Sequence, residues 1–168
     1  ANLLFNGADF ENWTTFLSSL NGYGLTDGLA VQGVGNGYDG SNSFHLNGTT
    51  EGNNTFVFTV KAESAQIPDS PKKITFWVKG SAAKSLSFNL DTDSGRKFYN
   101  LGAFSSENLT VNPAENNQYV GAVDTNNEWV LVTLNIEGLQ LNKTGDLLAM
   151  KAGSGTTYDL IIDNIKID

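Results

Sequence analysis

Short segments of alternating apolar and polar residues, separated by glycine, asparagine, aspartate and serine, make up most of this chain. Residues 43–46 alternate and then meet Asn47-Gly48, a strong turn signal. Residues 73–80 and 85–91 alternate in the same way, and no segment has the repeat of a long amphipathic helix. Many short strands joined by tight turns predict an all-β protein, a β-sandwich of two antiparallel sheets.

Further strands are predicted along the chain by the same alternation, and they are residues 55–61, 96–101, 118–123, 128–136, 147–151 and 157–168. Residues 16–20 are expected to form one short helical turn. The longest weakly patterned stretch is 102–117. Because long loops on a rigid sandwich often contain functional residues, this stretch is a candidate for function.

Composition excludes several classes of protein. The 168 residues favour one domain over residues 1–168, and this length can bury a core without covalent cross-links. A net charge of −8 argues against nucleic acid and anionic membranes as partners. With no cysteine, the chain has no disulfide, zinc–thiolate site or thiol nucleophile. No apolar stretch is long enough to cross a bilayer, and no signal peptide is visible, so we expect a mature fragment or a domain of a longer protein.

Carboxylates accompany the strand-like segments at both ends of the chain. Asp9 and Glu11 are two residues apart near the start, and Asp159 and Asp163 lie in the last segment. The glycine-rich stretch 35–41 adds Asp39 and exposed carbonyl groups. Since calcium binds six to eight oxygen ligands, these groups form a calcium site if the first and last strands are neighbours. The alternative is a solvated edge whose charges prevent strand aggregation.

Four motifs in order resemble calcium-binding β-jelly-roll carbohydrate-binding modules. Residues 2–7, Asn-Leu-Leu-Phe-Asn-Gly, precede Asp9-Phe10-Glu11 and Trp13, as in the opening run of that family. Residues 74–80, Ile-Thr-Phe-Trp-Val-Lys-Gly, and residues 128–134, Glu-Trp-Val-Leu-Val-Thr-Leu, resemble two of its strands. Residues 163–165, Asp-Asn-Ile, resemble its closing motif. The resemblance covers nearly the whole chain.

The resemblance implies a jelly roll with one structural calcium ion. Glu11 and Asp163 correspond best to the side-chain ligands, while Ala8 shifts the register of Asp9 relative to the family pattern. The loop at Asp39 corresponds to a segment that usually contributes a backbone carbonyl. The implied function is a non-catalytic carbohydrate-binding module of a secreted or cell-surface bacterial protein, linked covalently to other domains, with a polysaccharide or oligosaccharide as partner.

Candidate sugar-contacting residues follow from the alternation, because aromatic faces stack on sugar rings and polar side chains bind hydroxyl groups. Trp77 is expected on the outer face of its strand, and Asn89 and Asp91 on the outer face of theirs. If these strands are neighbours, the three side chains share one face. Residues on adjacent segments then complete the predicted site, namely Arg96, Tyr99 and Tyr119. The alternative for Trp77 is that a loop covers it.

No arrangement of residues typical of catalysis is present in the sequence. There is no Gly-x-Ser-x-Gly motif, no cysteine and only one histidine, His45. Asp91 and Asp93 adjoin the turn at Ser94-Gly95, which explains them better than a pair of catalytic acids. Two functions therefore remain open: a non-catalytic polysaccharide-binding module, and a structural or adhesion sandwich domain without affinity for sugar.

Overall fold

The computed structural model describes residues 1–168 and consists of two sheets packed face to face. The larger sheet has eight strands, which are β1 (Asn2–Leu3), β2 (Ala30–Gly33), β3 (Ser43–Thr49), β5 (Lys73–Ala82), β8 (Leu109–Val111), β9 (Val123–Asp124), β10 (Val130–Asn135) and β12 (Thr157–Ile167). Their order is β2-β3-β12-β5-β10-β8, with β1 beside β12 and β9 beside β5. Only β8 and β10 pair in parallel.

The smaller sheet has four antiparallel strands in the order β4-β11-β6-β7. They are β4 (Thr55–Lys61), β6 (Leu86–Thr92), β7 (Gly95–Asn100) and β11 (Asp146–Ala152). The fold is therefore the all-β sandwich that the alternation predicts.

The hydrophobic core lies between the two sheets, because the apolar residues of each alternating strand face the other sheet. Ile74, Phe76 and Val78 of β5 are buried in it, as are Phe88 and Leu90 of β6. Thirty-nine buried residues form one continuous cluster. Each fully buried aromatic or branched side chain contributes about 1.5–3 kcal/mol, so a cluster of this size stabilises both sheets together.

The first and last strands are neighbours, which is the condition for a shared metal site. In register, Asn2 of β1 pairs with Ile167 of β12, and Leu3 pairs with Lys166. The amide of Leu4 continues this pairing by donating to the carbonyl of Ile165 at 2.9 Å. Both ends of the chain therefore lie in the middle of the larger sheet.

The helix α1 spans Trp13–Ser18 and begins three residues earlier than predicted. Asn12 explains the difference, because its side chain accepts a hydrogen bond from the amide of Thr15 and caps the first turn. The helix has six residues, and no helix in the structure has the length and apolarity needed to cross a bilayer.

Three strand predictions need correction. Of the predicted strand 118–123 only Val123 lies in a strand, the two-residue β9, and β2 and β8 are additional strands. Most important, β5 and β6 are not neighbours, because the chain crosses from the larger to the smaller sheet between them. Consecutive alternating strands are compatible with pairing or with crossing to the other layer, and periodicity alone does not distinguish these.

Candidate functional site

Asp163 is the centre of a polar cluster at the end of the larger sheet. Its side chain is fully buried, next to the irregular register between β12 and β5. One carboxylate oxygen accepts a hydrogen bond from the amide of Tyr38 at 2.9 Å and lies 3.1 Å from the Ser41 hydroxyl. The other oxygen accepts from the amide of Asn164 at 2.8 Å. Asp163 therefore holds the loop 35–42 against β12.

Glu11 joins this cluster from the N-terminal side. Its carboxylate accepts a hydrogen bond from the amide of Asn42 at 2.9 Å. Burial raises the pKa of Asp163 to about 6, the hydrogen bonds from Tyr38 and Ser41 oppose this, and the charge of Glu11 adds to it. Glu11 and Asp163 thus both bind the same loop through backbone amides, and the charge of Glu11 is the smallest of these influences on Asp163.

Gly37 is required where the loop meets Asp163. A Cβ atom at this position would lie 2.6 Å from both a carboxylate oxygen of Asp163 and the carbonyl oxygen of Asn42, and 2.8 Å from the carbonyl oxygen of Ser41. Oxygen atoms from three residues therefore converge around the Gly37 backbone. We call Glu11, Asp163 and residues 35–42 the clasp.

The four predicted metal-binding carboxylates do not form one cluster, since no group of three or more His, Cys, Asp or Glu side chains is placed to hold a metal ion. The side chain of Asp9 accepts a hydrogen bond from the amide of Glu11, two residues along the chain, at 3.2 Å. Asp39 is exposed and has a positive φ of 56° in a 3₁₀ turn. The donor chemistry of the clasp, two carboxylates and two carbonyls, nevertheless fits calcium, which prefers oxygen ligands of mixed type.

Trp77 lies beside the clasp and is covered by it. The ring of Tyr38 stacks on Trp77 with centroids 4.2 Å apart and an interplanar angle of 11°. Trp129 meets the edge of Tyr38 at 5.7 Å, and the ammonium group of Lys79 lies 5.4 Å from the centre of the Trp129 ring. The stacking position on Trp77 that a sugar ring would occupy is filled by Tyr38, so the covered alternative holds for Trp77.

The opposite outer face, on the smaller sheet, has an open groove of about 450 Å³. Its floor includes Thr59 and Ala149, which pair in register across β4 and β11. The segment 21–26 forms one wall, where the Asn21 and Thr26 amides bond to carbonyl groups of β4. Phe56 and Tyr23 supply aromatic surface, since 40% of Phe56 and 95% of Tyr23 are exposed.

Charged and amide groups lie at one end of this groove. The guanidinium of Arg96 donates to Asp91 at 2.7 and 3.4 Å, and this hydrogen bond is the largest cause of the raised pKa of Arg96. Asp146 accepts from the side-chain amide of Asn21 at 3.3 Å. Two of the predicted ligand residues, Asp91 and Arg96, are thus brought together, and Arg96 lines the groove.

Asn89 lies on the same face as these groups, as predicted, and pairs in register with Ala149 on one side and Phe98 on the other. It is only 1% exposed, and both the oxygen and the nitrogen of its side-chain amide lack a hydrogen-bond partner. A buried amide without partners is uncommon, because its desolvation is not compensated. Asn89 therefore differs from the fully bonded Asp163 of the clasp.

Tyr99 and Tyr119 are not surface residues of the groove. Tyr99 is fully buried in the core, and its hydroxyl donates to the carbonyl of Asn135 at 2.7 Å. Its ring is inward because it pairs in register with Phe88, an inward residue of β6. The hydroxyl of Tyr119 is buried without a partner, and burial raises its pKa to about 12. Trp77 is on the other sheet, so it shares no face with Asn89.

Sequence reasoning missed the residues of the groove wall. Tyr23 lies between Gly22 and Gly24, a pattern typical of an exposed loop, and this signal could have placed it in the predicted site. Phe56, Asn21 and Asp146 had no such signal, because their position depends on the order β4-β11-β6-β7 rather than on local sequence.

Comparison with known proteins gives fold similarity only. The chain matches no protein-family model and no curated protein. An exo-β-agarase aligns over 100% of this chain and 25% of its own, with 12% identity and a TM-score of 0.55. A Clostridium thermocellum endo-1,4-β-D-xylanase, its CBM22-1 and GH10 modules complexed with xylohexaose, aligns over 84% of this chain and 24% of its own, with 14% identity and a TM-score of 0.46.

The CBM22-1 xylan-binding domain of Paenibacillus barcinonensis Xyn10C aligns over 82% of this chain and 78% of its own, with 15% identity and a TM-score of 0.44. This chain spans about a quarter of the length of the agarase and of the xylanase structure. The alignment with the agarase supports the sandwich fold over the full chain.

Proposed function

We propose that this chain is a non-catalytic carbohydrate-binding module that binds a polysaccharide in the groove on the smaller sheet. The observation that carries this proposal is the combination of an open groove of about 450 Å³ with aromatic surface on one side and amide, carboxylate and guanidinium groups at one end. A sugar ring offers apolar C–H faces and a rim of hydroxyl groups, and these two kinds of surface complement them.

Each part of the groove has a distinct role in this proposal. The rings of Tyr23 and Phe56 bury sugar faces, and Lys151 supports Phe56 because its ammonium lies 4.4 Å from the ring centre. Arg96 hydrogen-bonds only to Asp91 within the protein, so its remaining N–H groups are available to hydroxyl oxygens. Asp146 and Asn21 accept and donate hydrogen bonds at the same end.

We propose the wider context of the chain from its fold and from the resemblance of its motifs to calcium-binding jelly-roll modules. This chain aligns with a quarter of an exo-β-agarase, which supports a module attached to a longer protein that acts on glycans. That the longer protein is secreted or surface-bound and bacterial is part of the proposal and rests on the sequence motifs alone. Since one sandwich fold hosts many functions, the groove rather than the fold supports sugar binding.

Affinity electrophoresis tests the proposal. The chain is run through gels that contain xylan, agarose or mixed-linkage β-glucan, and retardation in at least one gel is expected. Arg96→Ala should remove most of that retardation, while Val34→Ala, at a 77% exposed residue following β2 in the other sheet, should keep it. Unretarded migration in every gel would favour the alternative of a structural or adhesion domain.

We also propose that the clasp binds a structural calcium ion. Glu11 and Asp163 would supply carboxylate oxygens, and residues 41 and 42 would supply carbonyl oxygens. The ion would neutralise the two neighbouring carboxylates and fix the loop 35–42 to the terminal strands. In this proposal calcium stabilises the fold and does not contact sugar.

The melting temperature of metal-free protein tests the calcium site. Calcium at about one hundred times its Kd should stabilise the fold by about 2.7 kcal/mol. Glu11→Gln should abolish the rise in melting temperature that calcium causes. Asp27→Asn, at an exposed residue away from the clasp, should retain that rise. An equal melting temperature with and without calcium would exclude the site.

A further inference from the structure

The buried polar side-chain atoms that lack a partner are not scattered over the molecule. All four belong to three residues, Ser85, Asn89 and Tyr119. Ser85 immediately precedes β6, and Ser87 and Asn89 lie within it. Because side chains two residues apart on a strand point to the same side, we call Ser85, Ser87 and Asn89 the row. The row is on the outer face of the smaller sheet, because the intervening Leu86 and Phe88 are buried in the core.

A single segment lies against the Ser85 and Ser87 end of this row. Residues 112–121, here called the strap, leave the free edge of β7 and cross to the beginning of β6. Ala114 exchanges two backbone hydrogen bonds with Phe98 of β7, at 2.7 and 3.1 Å. The side chain of Asn117 accepts from the Ser87 hydroxyl at 2.5 Å, and the carbonyl of Tyr119 accepts from the amide of Ser85 at 3.3 Å.

The strap is held mainly by polar contacts at the surface. Asn100 contributes two of them, since its side chain donates to the carbonyl of Asn116 at 2.9 Å and accepts from the amide of Gln118 at 2.7 Å. Among its side chains, Pro113, Gln118 and Val120 are exposed. A segment with little apolar burial opens at a lower free energy than the core strands.

The row under the strap is continuous with the open groove. Asn89 pairs in register with Ala149, which forms part of the groove floor. Asp91, two residues further along β6, is bonded to Arg96 at the end of the groove. The outer face of β6 therefore presents one uninterrupted series of polar side chains, of which one part borders the groove and the other lies under the strap.

We infer that the polysaccharide site extends beneath the strap, and that Ser85, Ser87 and Asn89 hydrogen-bond the hydroxyl groups of further sugar units when the strap lifts. The inference rests on the proposed function. Where the strap meets Ser85, the hydroxyl groups of Ser85 and of the strap's own Tyr119 are buried without a partner, so the closed position is less stable than complete pairing would make it. A chain rich in hydroxyl groups supplies both donors and acceptors to a side-chain amide, which needs both.

Binding of short and long oligosaccharides tests the inference. Calorimetry is performed with tri- and hexasaccharides of xylan, agarose and mixed-linkage β-glucan. The hexasaccharide that binds should bind at least tenfold more tightly than its trisaccharide. Asn89→Leu, which has similar volume and removes the unpartnered amide, should abolish that difference and leave trisaccharide affinity unchanged. Asn47→Leu, at an exposed residue of β3 in the other sheet, is the matched control.

A second variant tests the strap without altering the row. Asn117→Ala removes the acceptor for the Ser87 hydroxyl, so the strap should open more easily and hexasaccharide affinity should rise about threefold. If the hexasaccharide binds wild type and Asn89→Leu equally, while Arg96→Ala still weakens binding, the inference is wrong and the proposed function stands. Water alone would then occupy the row. If no saccharide binds any variant, both are wrong.

Discussion

The two outer faces of this sandwich differ in how completely their polar groups are paired. On the larger sheet, Asp163 is surrounded by donors, and Trp77 is stacked by Tyr38. On the smaller sheet, the amide of Asn89 has no partner, and Tyr23 is almost fully exposed. Complete pairing is typical of groups that stabilise a fold, whereas a buried group without a partner needs a separate explanation, such as a ligand. This difference supports the proposals that the clasp stabilises the fold and that the groove binds sugar.

Removal of the Asp163 carboxylate should have the largest effect. In Asp163→Ala the amides of Tyr38 and Asn164 lose their buried acceptor, which should lower the free energy of unfolding by about 3 kcal/mol. Urea denaturation in the presence of EDTA measures this value. Polysaccharide retardation of the folded variant should stay at the wild-type level. A loss below about 1 kcal/mol would mean that the clasp contributes little to the fold.

Trp77→Ala should have the next largest effect. The substitution removes the stacking partner of Tyr38 and leaves a void between the clasp and β5, at a cost of about 2–3 kcal/mol because Trp77 is half-buried. Thermal unfolding measures the loss, and gel retardation at low temperature measures binding. Intact stability combined with lost binding would reverse the comparison and make Trp77 a sugar platform.

Tyr23→Ala should have the opposite pattern to Asp163→Ala and Trp77→Ala, with weaker sugar binding and almost unchanged stability. Since the ring is 95% exposed, the change in unfolding free energy should be within about 0.5 kcal/mol. Affinity for the retained polysaccharide should fall about tenfold, equivalent to about 1.4 kcal/mol, because a stacking surface is lost. Unchanged affinity would restrict the aromatic part of the site to Phe56.

Much of the fold was predictable from the sequence, because alternation reports directly which side of a strand faces the core. Ile74, Phe76 and Val78 were correctly expected inside, and Trp77 outside. The terminal strands also pair, which the carboxylates at both ends of the chain required as a condition and did not by themselves predict. Asn89, Asp91 and Arg96 were correctly placed on one outer face, since their segments are consecutive and joined by the turn at Ser94-Gly95.

The assignment of strands to sheets was not predictable in the same way. The condition under which Trp77 and Asn89 would share a face, that β5 and β6 are neighbours, is not met. Tyr99 was wrongly expected at the surface, because its register with Phe88 depends on the hairpin geometry of β6 and β7. The groove depends on long-range order, in which β4 and β11 lie beside β6, and no local pattern encodes that order.

NMR chemical-shift mapping tests the central claim, that the smaller sheet binds sugar while the clasp stabilises the fold. Uniformly ¹⁵N-labelled protein is titrated with a hexasaccharide of the polysaccharide that retards it. We expect the largest shifts in residues 21–26 and in the amides of Asn89 and Arg96, with none at Tyr38 or Trp77. Shifts concentrated at Tyr38 and Trp77, with the smaller sheet unaffected, would contradict the account.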